Sequence, residues 1–233
     1  MAWAHVQTPA ADVNNGVTSG AATFGSNVSS GSLIVVCVSL FAAGGSNVSS
    51  ITDTLGNTYA QDDTVTFSLA TCRTSIWRAF NSGAGANTVT VNLNATSDLT
   101  FTISEFSGAL TTDPNDASNN ATGVDQSPTV SVTAVDANVM MVGSFSHDNT
   151  DRTMTSGSGY ALLAENEGGT LNMPIHSEFQ EFTSAGAKTV NGTVGTGSVG
   201  WGICGCAYKP AAGAAAAQPP YQPWPQRGPI LAQ

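Results

Sequence analysis

Thr88-Val-Thr-Val-Asn-Leu-Asn94 and Thr100-Phe-Thr-Ile-Ser104 decide the fold class. Val89, Val91 and Leu93 fall on every second residue with Thr and Asn between them, and Phe101 and Ile103 alternate in the same way with Thr100, Thr102 and Ser104. Successive side chains of a strand point to opposite faces, so a period of two supplies one face for a core and one for a polar surface. Val130 and Val132 repeat the pattern between Ser131 and Thr133. The longest apolar run, Leu33 to Ala42, is only about half as long as a membrane helix requires. It contains Ser39, and its Val-Val-Cys-Val centre reads as a buried strand. Turn-forming clusters separate these segments: Asp12-Val-Asn-Asn-Gly16, Ala43-Gly-Gly-Ser46, Ser82-Gly-Ala-Gly-Ala86 and Ser156-Gly-Ser-Gly159. Short strands between such turns, about a dozen from Ala4 to Lys209, predict an all-β antiparallel sandwich.

Working outward, the composition supports the same class. Charged residues are 9% of the 233, against about 25% in ordinary soluble domains. The polar surface must therefore come from Ser, Thr, Asn and Gly, whose short side chains compete with helical hydrogen bonds. Sixteen acidic and six basic residues give a net charge of −10. The basic residues, Arg73, Arg78, Arg152, Lys188, Lys209 and Arg227, are scattered. Phosphate recognition needs them clustered, so neither nucleic acid nor a membrane surface is an expected partner. The segment Met1-Ala-Trp-Ala-His-Val-Gln7 has neither the basic nor the apolar region of a signal peptide. Cys37, Cys72, Cys204 and Cys206 lack the spacing of a zinc site and read as small buried apolar side chains. Cys204 and Cys206, two apart on a strand, point the same way and are not expected to pair with each other. No cofactor or metal is expected.

The chain also repeats itself. Tyr59-Ala60 and Tyr160-Ala161 are 101 residues apart, as are Ala86-Asn-Thr-Val89 and Ala187-Lys-Thr-Val190. Trp77 and Phe80 match Phe179 and Phe182 at 102, Phe101-Thr-Ile103 matches Trp201-Gly-Ile203 at 100, and Leu33-Ile-Val-Val36 matches Val139-Met-Met-Val142 at 106. Five pairs in one order outweigh chance similarity. Residues 1–210 are accordingly read as a jelly-roll-type sandwich with half-repeats at about 17–110 and 125–210. Interleaved halves are favoured over two sandwiches in tandem. Residues 211–233 change character to Ala and then to Gln218-Pro-Pro-Tyr-Gln-Pro-Trp-Pro-Gln-Arg-Gly-Pro. Prolines at that density favour an extended polyproline II tail. Tyr221, Trp224, Ile230 and Leu231 are its expected anchors, either on a neighbouring subunit or on the chain's own sandwich.

Signals for chemistry are sparse. Gly195-Thr-Gly197-Ser-Val-Gly200 matches the dinucleotide-loop pattern but leads into a strand, where that loop must open a helix. There is no Gly-x-Ser-x-Gly nucleophile elbow. Glu165, Glu167, Glu178 and Glu181, with His176, form the best carboxylate group, and Glu178 and His176 share one strand face. A solvated face is the favoured reading of them. His147-Asp148-Asn-Thr-Asp151 and Asp113-Pro-Asn-Asp116 carry oxygen donors without EF-hand spacing, and suit turns equally well. Trp77 and Trp201 are expected in the core, Trp3 and Trp224 at interfaces. No catalytic residue is expected, and the chain is not read as an enzyme.

Gly31-Ser-Leu-Ile-Val-Val-Cys-Val38, Ile51-Thr-Asp-Thr-Leu-Gly-Asn-Thr-Tyr59, Ala84-Gly-Ala-Asn-Thr-Val-Thr-Val91 and Ile103-Ser-Glu-Phe-Ser-Gly108, with the closing strand Trp201 to Pro210, resemble the β-sandwich (jelly-roll-like) domain of phage virion accessory proteins and bacterial surface proteins. The likeness spans residues 20–210 or so and rests on turn and core positions, so it implies fold and setting and carries over no catalytic residue. It implies a virion location, assembly in the host cytoplasm, and a capsid decoration (cement) or head–tail accessory role. The expected partners are the major capsid protein or other virion subunits, with self-association into a homo-oligomer. A carbohydrate-binding adhesin or tail-fibre module on an extracellular surface is the alternative.

Overall fold

A computed structural model describes residues 3–41, 45–68, 71–149, 152–167, 173–195 and 197–211. Among them the chain forms strands and no helix: β1 (Ala4–Gln7), β2 (Asp12–Thr23), β3 (Leu33–Phe41), β4 (Val48–Asp53), β5 (Ala60–Phe67), β6 (Cys72–Ala79) and β7 (Thr88–Ser107), then β8 (Asn115–Asp125), β9 (Thr129–Ala134), β10 (Val139–His147), β11 (Met154–Ser156), β12 (Ala161–Asn166), β13 (Ile175–Phe182), β14 (Gly186–Val194) and β15 (Val199–Tyr208). All pairings are antiparallel. Tyr221, Trp224, Ile230 and Leu231 lie outside the described residues.

Both halves run their strands in one order. In the first, β5-β6-β3-β7 continue to β1 and the start of β2, while the first part of β7 pairs with β4 and the end of β2. In the second, β12-β13-β10-β15-β8 form the larger sheet and β11-β14-β9 the smaller. β7 and β2 thus serve two sheets in the first half, whereas the second divides each of those strands in two. β2 makes its bend through register shifts around Gly16, at φ 59°, a conformation that glycine adopts without strain. The equivalent break between β8 and β9 falls at Pro128, with Asp125 Oδ1 accepting the Ser127 N–H at 2.7 Å.

Three cores stack between four layers. Ile34, Val36, Val38 and Leu40 face the first half's small sheet with Val89, Val91 and Ile51. Met141, Phe145, Trp201 and Ile203 face the second half's small sheet with Val130, Val132 and Val190. The reverse faces of the two larger sheets meet in a seam of Leu33, Val35, Cys37, Ile76 and Phe106 against Met140, Val142, Cys204, Cys206 and Tyr208. Being covered on both sides, β10 and β15 are buried at every residue and β3 at all but the last. That is why Leu33–Leu40 is a continuous apolar run and not an alternating one.

The halves do not interleave, contrary to the favoured sequence reading. Each sheet takes its strands from one half alone, and the halves join face to face. Their backbone links among the described residues are few and adjacent: the Ala109–Pro210 bridge, Leu110 N–H to Lys209 C=O at 3.0 Å, and Ala211 N–H to Gly108 C=O at 2.6 Å. Hydroxyl pairs lace the seam itself, Ser39 with Ser146 at 2.7 Å and Thr102 with Ser177 at 3.1 Å. Trp3 is no outward anchor. It is buried in the seam, and its Nε1–H donates to the Asn138 carbonyl at 2.8 Å.

Residue by residue, three of the five repeat pairs keep their face: Tyr59 with Tyr160, Val89 with Val190, and Phe101-x-Ile103 with Trp201-x-Ile203 all point into their own half's core. The other two are turned over. Trp77 faces its half's core while Phe179 faces the seam, and Leu33 faces the seam while Val139 faces inward. A shift of one residue reverses every side chain of a strand, so matching by residue type alone misaligns β6 with β13 and β3 with β10.

Candidate functional site

The inner face of β13 carries the most unusual chemistry in the molecule. In the first half the corresponding strand, β6, presents Trp77 and Ala79 to the core. β13 instead presents His176 and Glu178, with relative exposures of 1% and 0%. The expectation of a solvated face is thereby overturned. These two residues point inward because Ile175 and Phe179 occupy the seam on the opposite face, and strand alternation leaves positions 176 and 178 no other direction.

Three neighbouring elements complete the group. β12 pairs with β13 through a register shift between Leu162 and Ala164, which sets Glu165 directly opposite His176. This is how a bulge re-aims a side chain. Glu165 Oε2 lies 3.2 Å from His176 Nδ1. On the other side of β13, Phe145 of β10 stacks on the imidazole with centroids 4.5 Å apart. From the facing small sheet, the last residue of β11, Ser156, brings its Oγ to 2.9 Å from His176 Nε2. The next residue, Gly157, donates its N–H to Glu178 Oε2 at 3.0 Å. A side chain at Gly157 would collide with the Asn191 carbonyl, so this tight approach requires glycine.

Donor and acceptor roles follow from the inventory of groups. An ionised carboxylate only accepts, so Nδ1 carries the proton given to Glu165, and in the neutral ring Nε2 then has the lone pair that accepts the Ser156 O–H. Glu178 Oε2 lies 3.6 Å from the same Nε2, and Glu178 Oε1, though buried, has no hydrogen-bond partner among the described residues. Gly143 makes room for this side chain, since a Cβ there would stand 3.1 Å from Glu178 Cγ. Of the carboxylates singled out in the sequence, the exposed Glu165 and the buried Glu178 therefore converge on His176, while Glu167 and Glu181 are exposed and do not join them. Ser156 escaped notice because a Ser-Gly-Ser-Gly run reads as turn punctuation. The available signal was the two-residue spacing of His176 and Glu178 on one strand face.

Elsewhere the candidate residues serve the fold. Asp116 accepts the Val135 N–H at 2.7 Å, Asp113 pairs with Arg78 at 2.6 Å, and Asp148 accepts the Gly200 N–H at 2.9 Å and the Ser68 hydroxyl. Of the oxygen donors in segments 113–116 and 147–151, Asp113, Asp116 and Asp148 are thus engaged as turn and edge acceptors, and Asp151 lies outside the described residues. Trp201 is buried in the second half's core, and Trp77 packs against the first's with Nε1–H donating to Ser75 Oγ at 3.0 Å. Cys37, Cys204 and Cys206 share the seam as free thiols. Burial pushes the Cys37 thiol up to about 12.

A second surface feature is repeated in both halves. The outward residues of the first small sheet are Ser19, Ala21 and Thr23 of β2, Thr88, Thr90 and Asn92 of β7, and Ser50 and Thr52 of β4. Those of the second include Thr129, Ser131 and Thr133 of β9, Thr189, Asn191 and Thr193 of β14, and Thr155 of β11. None of them is charged. Cross-strand contacts such as Thr23 with Thr88 at 2.8 Å and Asn92 with Ser50 at 3.2 Å order these faces. Comparison with protein-family models, with curated proteins and with solved structures finds no match to this chain.

Proposed function

We propose that this protein is a structural component of a virion, a phage capsid decoration (cement) or head–tail accessory protein that stabilises the particle by adding buried interface. The observation that carries the reading is the pair of uncharged hydroxyl- and amide-bearing faces on the two outer layers. Protein interfaces are depleted of charge at their centres, because a charge must be desolvated on docking. A body with such a face on each outer side can contact two neighbours at once. The Pro-rich segment beyond Ala211 adds Tyr221, Trp224, Ile230 and Leu231 as anchors on the major capsid protein, another virion subunit or a second copy of this chain.

Co-sedimentation with purified capsids tests the proposal. Thr90→Lys with Thr189→Lys, or removal of residues 212–233, is expected to weaken capsid binding at least tenfold without lowering the melting temperature. Wild-type protein that ignores capsids but binds defined glycans on an array refutes it in favour of the adhesin.

A further inference from the structure

We propose that Ser156, His176 and Glu165 form a nucleophilic site that cleaves uncharged acyl esters, an activity separate from any docking role. Two distances carry the geometry: Ser156 Oγ to His176 Nε2 at 2.9 Å, and His176 Nδ1 to Glu165 Oε2 at 3.2 Å. A hydroxyl, an imidazole that accepts its proton, and a carboxylate that fixes the tautomer are the three parts of an activated serine nucleophile, recognised by geometry and not by sequence position. The nucleophile is half-buried, and the Ser158-Gly159 turn that follows it is exposed, so this turn is the side from which an ester would have to approach Oγ.

The comparison between the halves makes the case beyond geometry. One topology is built twice, and the first copy fills the corresponding strand face with Trp77 and Ala79. The fold therefore does not need charge at this position, and burying an acid there is unfavourable unless its partners compensate. The buried Glu178, whose Oε1 has no partner among the described residues and whose other oxygen lies 3.6 Å from Nε2, is the independent sign of an unfinished site. Buried polar groups without partners are rare in folded proteins and point to function where they occur. Two carboxylates beside the serine disfavour anionic substrates, which leaves neutral acyl esters as the substrate class.

In the reaction, Ser156 Oγ bonds to the acyl carbon as its proton passes to Nε2. The tetrahedral adduct then expels the alkoxide, breaking the carbon–oxygen ester bond, and Nε2–H protonates the leaving group. Water repeats the sequence: it gives a proton to Nε2, adds to the acyl carbon, and displaces Oγ, which recovers the proton. The products are the acid and the alcohol. Ser156 and His176 are the catalytic residues. Glu165 and Glu178 are positioning residues, the first holding the ring and the second lying where an imidazolium forms.

The test uses the full chain with a fluorophosphonate probe and with p-nitrophenyl acetate. A single covalent adduct is expected on Ser156 by peptide mass spectrometry, and it is expected to vanish in Ser156→Ala, which keeps the wild-type melting temperature. Glu165→Gln is expected to lower kcat about 10²-fold or more with KM unchanged, since it disturbs the ring and not ester binding. An unlabelled Ser156 in a chain shown to be folded by a cooperative melt, or ester turnover unaltered by Ser156→Ala, overturns the proposal.

Discussion

Acidification should destabilise this protein through one histidine, and the size of the effect can be worked from its surroundings. His147, the last residue of β10, is 0% exposed. Its Nδ1 accepts the Asn149 N–H at 3.3 Å, and its Nε2 has no hydrogen-bond partner among the described residues. Burial holds its pKa down to about 4, against the opposing pull of the neighbouring Asp148 carboxylate. In the unfolded chain an ordinary histidine titrates near 6.5. Between those values the unfolded state takes up a proton that the folded state refuses, so stability falls as pH falls. The stabilisation is whole above pH 6.5 and lost by pH 4, a difference of about 3 kcal/mol at 1.36 kcal/mol per unit. His147→Asn retains an acceptor for the Asn149 amide but removes the titration. Urea unfolding at a series of pH values from 7 to 4 compares the two proteins while all other groups cancel. Wild type should lose about 3 kcal/mol more than the variant over that range. Parallel curves for the two would refute the reasoning.

Two further outcomes follow from buried groups elsewhere. Glu105, 0% exposed, accepts hydrogen bonds from Gln7 Nε2 at 2.6 Å, the Ser29 N–H at 2.8 Å and Ser32 Oγ at 2.7 Å. Glu105→Ala should cost about 3–5 kcal/mol in urea unfolding by leaving those donors unpaired, and Glu105→Gln, which keeps one oxygen, distinctly less. Cys37, Cys204 and Cys206 are buried in the seam with thiols held protonated by burial. A thiol-reactive reagent at pH 8 should leave these three unmodified in native protein over an hour and label all of them in urea.

The all-β class was legible because alternation survives wherever a strand has one wet face, as in β9, where Val130, Val132 and Ala134 are buried and Thr129, Ser131 and Thr133 exposed. It was equally legible that Leu33–Leu40 is a buried strand. How the halves meet was not. β3, β10 and β15 carry apolar or small residues on both faces, and nothing in such a run says which face meets its own half and which the other. The same ambiguity turned Trp77 against Phe179 in the repeat. The candidate site was half visible: His176 and Glu178 could be placed on one face of β13, but not their burial. Glu165 reaches them through a bulge, and Ser156 through a contact between facing sheets. Neither leaves a fixed spacing in the sequence.

Building one sandwich topology twice has a physical consequence for where such a site can stand. The first half is apolar at the equivalent positions, with Trp77 and Ala79 beside Val36 and Ile34. The second half places His176 and Glu178 opposite Phe145 and Gly143, next to the core of Met141, Val190 and Trp201. Small domains are stable by only about 5–15 kcal/mol, so a buried, incompletely paired acid is a large fraction of what one sandwich alone can lose. The seam changes that balance. Leu33, Val35, Ile76 and Phe106 bury their apolar surface against Met140, Val142, Ile175 and Tyr208, at roughly 25 cal/mol for each Å² removed from water. The larger sheet that carries the polar cluster on one face is therefore held on its other face by the apolar half. A substitution that loosens the seam, such as a charge at Val35, should consequently melt the second half before the first, because its buried acid, Glu178, is less completely paired among the described residues than Glu105 of the first half.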